Sequence, residues 1–200
     1  ERRDWKLSTG FLGTPLLCPV LTKFGRTDIA YRLLLQQEYP SWLYPVLQGA
    51  TTMWERWNSW TKEDGFESIG MNSFNHYSLG AVGEWMFRSL LGIETDGAGF
   101  KKILMKPELG EGITWAKGHY DSIRGRIGSD WKIEDSAFDW KISIPPNTTA
   151  TVFVPAKDAA GVTESGKPAG EAEGVKFLRM ENNAAVYAVG SGTYQFQSQL

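Results

Sequence analysis

The spacing of the apolar residues changes near residue 95, from a helical repeat to short alternating segments. Gly25 suits the position after a helix and Thr27 suits an N-cap, so the apolar stripes on either side predict a helical hairpin. A wider stripe from Phe74 to Leu90 predicts a third helix, closed by Gly92. The two hairpin stripes are Leu12, Leu16, Leu17, Val20, Leu21 and Phe24, then Ile29, Ala30, Leu33 and Leu34.

Nine segments after Phe100 alternate or are rich in β-branched residues, with turns rich in Gly, Asn, Pro and Asp between them. Successive strands with no helix between them are typical of an antiparallel sandwich or jelly roll. The linker-like run at 96–99 predicts two parts, a helical part at 1–95 and a β-sandwich at 96–200. The segments are 102–106, 113–116, 120–127, 130–134, 137–144, 149–154, 175–180, 184–189 and 192–197.

Composition excludes several classes of protein. With 21 basic and 23 acidic residues interspersed, the chain has no basic patch for nucleic acid or for an anionic membrane. No apolar run approaches the roughly 20 residues of a spanning helix, and the charged start at 1–4 is not a signal peptide. Cys18 has no second cysteine to pair with, and His76 and His119 lack metal-ligand spacing. We therefore predict no metal and no cofactor.

One carboxylate, Glu55, stands between Trp54 and Trp57. Carboxylates framed by flat aromatic rings are a common way to hold a sugar ring and to do chemistry beside it. The apolar indoles can also raise the pKa of a nearby carboxyl, as a general acid or base requires. Glu55 can also be a solvated glutamate in the first turn of a helix, where the helix dipole favours a negative charge. On the residues alone, both interpretations stay open.

A second polar cluster, Asn75, His76 and Tyr77, opens the predicted third helix. Hydrogen-bonding groups crowded at one point suit the recognition of sugar hydroxyls, or a neighbouring residue simply caps the helix. Glu84 follows about two turns later and either faces the same cavity or pairs with Arg88. The acidic residues Glu63, Asp64 and Glu67 are expected to face solvent, with contact of one of them to substrate as the lesser alternative.

Several motifs in order resemble the C-terminal part of bacterial α-L-rhamnosidases, glycoside hydrolase family 78. Four lie in the helical part, at Thr9–Thr14, Gln37–Tyr44, Gly49–Trp57 and Ser73–Trp85. Four more are similar to the β-sandwich that closes those enzymes, at Lys106–Pro107, Thr114–Ala116, Ile144–Ala150 and Thr163–Pro168.

The resemblance implies the end of an (α/α)6 barrel with an inverting active site. Glu55 would be the general base, with Glu84 as second choice. Trp54, Trp57 and Trp60 would wall the cavity, and Asn75, His76 and Tyr77 would contact rhamnose hydroxyls. Three helices are too few for a twelve-helix barrel, so the general acid is expected before Glu1.

The expected partners are a rhamnose-containing oligosaccharide or glycoside and the missing N-terminal part of the same enzyme, without which the chain should be inactive. No nucleic acid or membrane partner is expected. Two alternatives stay open: a non-catalytic carbohydrate-binding or structural module, and another (α/α)6 glycosidase. Solvent-facing aromatics on the sandwich would favour binding. The location in a bacterium, whether periplasmic, extracellular or cytoplasmic, is left open.

Overall fold

The structure is a computed structural model that describes residues 4–68, 70 and 72–200. These residues form two compact units. One runs to Trp85 and includes Leu109–Gly112, and the other comprises Met86–Glu108 and Ile113–Leu200. The domain boundary at residues 95–96 stays a prediction. In the described part of the chain, no helix is both long and apolar enough to cross a membrane.

The first unit contains the predicted helical hairpin. Gly25 adopts a φ of +71°, and the N–H of Arg26 donates to the C=O of Leu21 at 2.8 Å. This Schellman geometry ends the first helix and turns the chain into the second. The helices of the unit are α1 (Thr14–Lys23), α2 (Thr27–Leu34), α3 (Leu43–Gln48), α4 (Tyr77–Gly80) and α5 (Val82–Trp85).

The apolar stripe predicted for the first helix is mostly exposed. It extends beyond α1 to Leu12 and Phe24, and only Leu17 and Leu21 in it are half-buried. Leu12, Leu16 and Phe24 are 91%, 62% and 74% exposed, whereas the opposite face buries Thr14 and Cys18. The periodicity therefore predicted the helix correctly, and the stripe is left as an unpartnered apolar surface.

The third predicted helix is broken rather than continuous. It consists of α4, α5 and a π-helical turn at Met86–Leu90. Gly80 and Gly83 weaken the helical backbone, and a Cβ at Gly80 would lie 3.2 Å from the Met53 side chain. Trp85, which is fully buried, donates its indole N–H to Thr22 Oγ1 at 2.8 Å. The connection before α4 holds α3 and a short hairpin of β1 (Trp60–Thr61) and β2 (Gly65–Phe66).

The second unit is a sandwich of two sheets. All neighbouring strands are antiparallel except β4 and β8, which pair in parallel. The six-stranded sheet has the order β10-β9-β13-β7-β6-β5 and the five-stranded sheet β11-β12-β8-β4-β3. The strands are β3 (Ile93–Thr95), β4 (Lys102–Met105), β5 (Trp115–Ser122), β6 (Gly125–Glu134), β7 (Ala137–Ile144), β8 (Thr149–Pro155), β9 (Thr163–Glu164), β10 (Lys167–Pro168), β11 (Val175–Glu181), β12 (Ala184–Val189) and β13 (Gly192–Gln199).

Three predicted strands, 113–116, 120–127 and 130–134, are in fact the two strands of one long hairpin, β5 and β6. The gaps between the predicted segments contain Gly118 and Gly128. Both lie inside strands, where a Cβ would meet Leu91 at 2.6 Å and Ser143 Oγ at 2.5 Å respectively. These glycines make room for neighbouring side chains and are not turns.

The sandwich core is rich in aromatic rings from the facing sheets. Tyr187 of β12 stacks on Phe196 of β13 with ring centroids 5.8 Å apart. Ser129 Oγ donates to the C=O of Leu91 at 2.6 Å and accepts from the Trp140 indole at 2.9 Å. The predicted fold class, helices followed by a β-sandwich, is confirmed. The largest fully buried side chains of the sandwich include Trp131, Trp140, Phe138, Ile103 and Met105.

Candidate active site

Glu55 lies in a loop that is held against the segment before α4. Its N–H donates to the C=O of Ser73 at 2.8 Å. In return, the Ser73 N–H donates to Glu55 Oε2 at 2.8 Å. Two residues before Glu55 and three residues after Ser73, the two segments are joined again, because the His76 N–H donates to the C=O of Met53 at 2.8 Å. The carboxylate is therefore oriented by main-chain atoms of a second segment, and a charge-assisted hydrogen bond of this kind is stronger than a neutral one.

The loop after Glu55 closes on a buried serine. Ser59 Oγ donates to the C=O of Arg56 at 3.0 Å and accepts from the Arg56 N–H at 3.2 Å. The C=O of Ser59 accepts from Asn72 Nδ2 at 2.7 Å and from the Glu67 N–H at 3.2 Å. These bonds fix the position of Glu67, which lies twelve positions after Glu55 in the sequence and borders the same depression.

Glu55, Trp57 and Glu67 line one depression of about 280 Å³, with Phe11 and Tyr39 on its wall. Tyr39 and Glu67 also line an adjoining depression of about 270 Å³, which shares Asn58 with the first. The two depressions share Tyr39, Asn58 and Glu67, and together we call them the trough. Three carboxylates line it, those of Glu55, Glu67 and Asp64. Glu67 was expected to face solvent; it is exposed, but into this trough.

The three predicted tryptophans have different environments. Trp57 lines the depression and packs edge-on against buried Trp42, with centroids 5.9 Å apart. Trp54 is buried and packs edge-on against Phe74 at 5.4 Å. Trp60 is half-buried in β1. Only Trp57 of the three therefore borders the trough, and the predicted roles of the other two as substrate contacts stay predictions.

The polar cluster opens α4 as predicted. His76 is the N-cap, and its Nδ1 accepts from the Ser78 N–H at 3.4 Å, which leaves Nε2 to carry the proton of the neutral ring. The ring stacks on Phe11 at 4.6 Å and on Tyr77 at 5.5 Å. Asn75 and Tyr77 are exposed. Because Phe11 also lines the trough, it joins the cluster to the depression beside Glu55.

Glu84, the second choice, lies on α5 and is exposed. It is not among the residues that line the trough beside Glu55. Its catalytic role stays a prediction.

Sequence reasoning missed Phe11 and Tyr39, and it did not single out Glu67 from Glu63 and Asp64. Phe11 and Tyr39 lie in motifs that carried the family resemblance, and only the folded loops show that they face Glu55. A carboxylate held by a main-chain amide, beside aromatic walls and a second carboxylate, can take a proton from a water molecule at a sugar ring. Within the described ranges, no group of three or more His, Cys, Asp and Glu side chains could hold a metal ion.

Two family models match consecutive parts of the chain. Residues 1–90 match the bacterial alpha-L-rhamnosidase 6 hairpin glycosidase domain, and residues 92–169 match the bacterial alpha-L-rhamnosidase C-terminal domain. An alpha-L-rhamnosidase of Streptomyces avermitilis is 45% identical over 98% of this chain and 18% of its own length. One of Formosa agariphila is 39% identical over 98% of the chain and 21% of its own length.

Solved structures agree with these matches. The crystal structure of Streptomyces avermitilis alpha-L-rhamnosidase complexed with L-rhamnose aligns with a TM-score of 0.89 at 44% identity, over 99% of this chain and 18% of that one. The alpha-L-rhamnosidase from Dictyoglumus thermophilum aligns with a TM-score of 0.85 at 33% identity, over 100% of this chain and 22% of that one.

The chain spans about a fifth of the length of the curated relatives it matches. The order of the matched domains is the order of the two parts found in the structure, helices first and sandwich second. The chain belongs to the bacterial α-L-rhamnosidase family, with residues 1–90 in its six-hairpin glycosidase domain and residues 92–169 in its C-terminal domain.

Proposed function

We propose that the protein to which this chain belongs hydrolyses terminal α-L-rhamnosides with inversion, and that Glu55 is the general base. The observation that carries the proposal is the position of Glu55, which lines a trough with an aromatic wall and is oriented by Ser73. Its support from relatives is their printed name, alpha-L-rhamnosidase, at 45% and 39% identity over nearly the whole chain.

In this mechanism a water molecule lies between Glu55 and the face of the sugar opposite the leaving group. Glu55 takes a proton from the water as its oxygen attacks the anomeric carbon, and a general acid protonates the departing oxygen. Inverting pairs stand roughly 6.5–9.5 Å apart, which leaves room for the water. The hydrogen bond from Ser73 to Oε2 fixes the carboxylate in one orientation for this transfer.

The rest of the trough suits a sugar ring. Trp57 and Tyr39 offer apolar ring faces to the C–H groups of the pyranose, and Glu67 offers oxygens that accept from its hydroxyls. Asn75, His76 and Tyr77 stay proposed contacts to rhamnose hydroxyls.

We place the general acid in the part of the relatives' length that this chain does not span. The 200-residue chain alone would then be inactive. The exposed stripe of α1, Leu12, Leu16, Val20 and Phe24, would pack against that preceding part of the same enzyme.

The experiment is Glu55→Gln in the complete enzyme, assayed on an aryl α-L-rhamnoside. Removal of a general base should lower kcat by about 100-fold or more, with a much smaller change in KM because the amide keeps the shape of the side chain. Glu63→Gln, in the exposed β1–β2 turn, is the matched control and should retain activity. A loss of only a few-fold in Glu55→Gln, with a large loss in Glu84→Gln, would transfer the role to Glu84.

A further inference from the structure

The outer face of the six-stranded sheet carries one row of side chains with no assigned role. The strand register places Trp115 beside Lys132, Lys132 beside Asp139, and Asp139 beside Gln197. Gln197 in turn lies beside Thr163. Neighbouring strands are about 4.8 Å apart. The row therefore places five groups side by side across five strands: an indole, an ammonium, a carboxylate, an amide and a hydroxyl.

This row faces away from the sandwich core. The residues that alternate with it, Trp131, Phe138 and Ser198, are buried inside the sandwich. Trp115 is 67% exposed at the edge of the sheet. An exposed indole is unusual, because tryptophan is highly buried on average.

A depression of about 450 Å³ lies along the row. Ala137 is directly opposite Glu134 and Gln199 on the neighbouring strands, and its short side chain leaves the space between them open. Asp139 and Gln197 line the same depression. It is therefore a polar hollow in the sheet surface, with an indole one strand beyond it.

The carboxylate of Asp139 is already fixed in the hollow. Gln195 Nε2 donates to its two oxygens at 3.1 and 3.0 Å, and Gln197 Nε2 donates to Oδ2 at 2.8 Å. Two amides thus hold one carboxylate on an exposed surface, and they lower the entropic cost of presenting its remaining lone pairs to a ligand.

We propose that this hollow, with Trp115, is a binding site for a neutral sugar. Sugars need donors and acceptors close together and a flat apolar face for their C–H groups, and the row offers all three. The hollow carries Asp139, Glu134 and Lys132, of which the last two pair at 3.2 Å, so its net charge is negative and disfavours acidic sugars. The amide N–H groups around Asp139 disfavour a cation. The site is remote in sequence from Glu55 and does not depend on its role.

The experiment uses the complete protein labelled with 5-fluorotryptophan and followed by ¹⁹F NMR, with the Trp115 signal assigned by its loss in Trp115→Phe. The probes are L-rhamnose, D-galactose and D-glucose, with D-galacturonate as the charged comparison. The Trp115 signal should shift and saturate with at least one neutral sugar and should shift less with D-galacturonate. Gln197→Ala should weaken that binding by about tenfold, because it removes a hydrogen bond to a charged group.

Phe177→Ala is the matched control, since Phe177 is an aromatic residue exposed on the other sheet. It should leave the titration unchanged. Hydrolysis of a small aryl rhamnoside should be unchanged in Trp115→Phe and Gln197→Ala, which separates this proposal from the one about Glu55. No shift with any of the three neutral sugars, or a tighter response to D-galacturonate than to D-galactose, would overturn it.

Discussion

Glu55 and Ser73 exchange two hydrogen bonds, each of 2.8 Å: the Glu55 N–H donates to the Ser73 carbonyl, and the Ser73 N–H donates to Glu55 Oε2. The partner of the carboxylate is a main-chain amide, which every residue except proline provides. The orientation of Glu55 is therefore set by the path of the chain before α4 and not by the identity of one side chain. A base held in this way is preorganised for proton transfer.

The first prediction concerns the stereochemistry of the product. If water attacks opposite the leaving group, an α-L-rhamnoside releases β-L-rhamnose first, and mutarotation forms the α anomer afterwards. Proton NMR of the complete enzyme with an aryl rhamnoside records the anomer within the first minutes. Early accumulation of the α anomer would instead indicate a retaining enzyme with a nucleophile.

The second prediction concerns the sandwich core. Ser129→Ala leaves the buried Trp140 indole N–H and the Leu91 carbonyl without their shared partner. Leaving buried groups unsatisfied costs about 1–3 kcal/mol each, so the free energy of unfolding should fall by roughly 2–4 kcal/mol in urea denaturation. Ser143→Ala, on the outer face of the same sheet, should change it by less than about 0.5 kcal/mol. Equal effects of the two changes would contradict the role of the network.

The third prediction concerns Cys18, which is 1% exposed in α1. Burial raises the pKa of its thiol from 9.0 to about 12. The folded protein should therefore react with a thiol reagent at pH 8 only after denaturant is added. Fast modification of the native protein would show that α1 opens.

The same pKa difference links stability to pH. Folding favours the neutral thiol. The contribution of Cys18 to the free energy of unfolding is therefore complete below pH 9 and is lost as the pH rises from 9 towards 12. The loss approaches about 1.4 kcal/mol per pH unit. The measurement is the free energy of unfolding of wild type and of Cys18→Ala as a function of pH. The difference between the two isolates this loss, since other groups titrate equally in both proteins.

The helical hairpin was predictable because its determinants are local. Gly25 with its positive φ and the Arg26 to Leu21 hydrogen bond are properties of a few adjacent residues. The break in the third helix was not predicted, although Gly80 and Gly83, which weaken a helical backbone, lie inside the predicted segment. Nor were the roles of Gly118 and Gly128, which are set by Leu91 and Ser143 on other strands.

The candidate site was predictable where residues are close in sequence and not where loops bring them together. Glu55 and Trp57 lie in one motif, and both line the trough. Glu67 joins them because its N–H and Asn72 share the carbonyl of Ser59. Trp54 is adjacent to Glu55 in the sequence but is buried, so neighbours in one motif lie in different environments.

The central claim, that Glu55 activates water, is tested most directly by chemical rescue. In the complete enzyme, Glu55→Ala removes the base and leaves space that an azide ion can fill, and azide needs no proton removed before it attacks. With an activated aryl α-L-rhamnoside, azide should restore turnover by about tenfold or more and yield β-L-rhamnosyl azide. An α-configured azide, or a Glu55→Ala enzyme that hydrolyses at the wild-type rate without azide, would contradict the account.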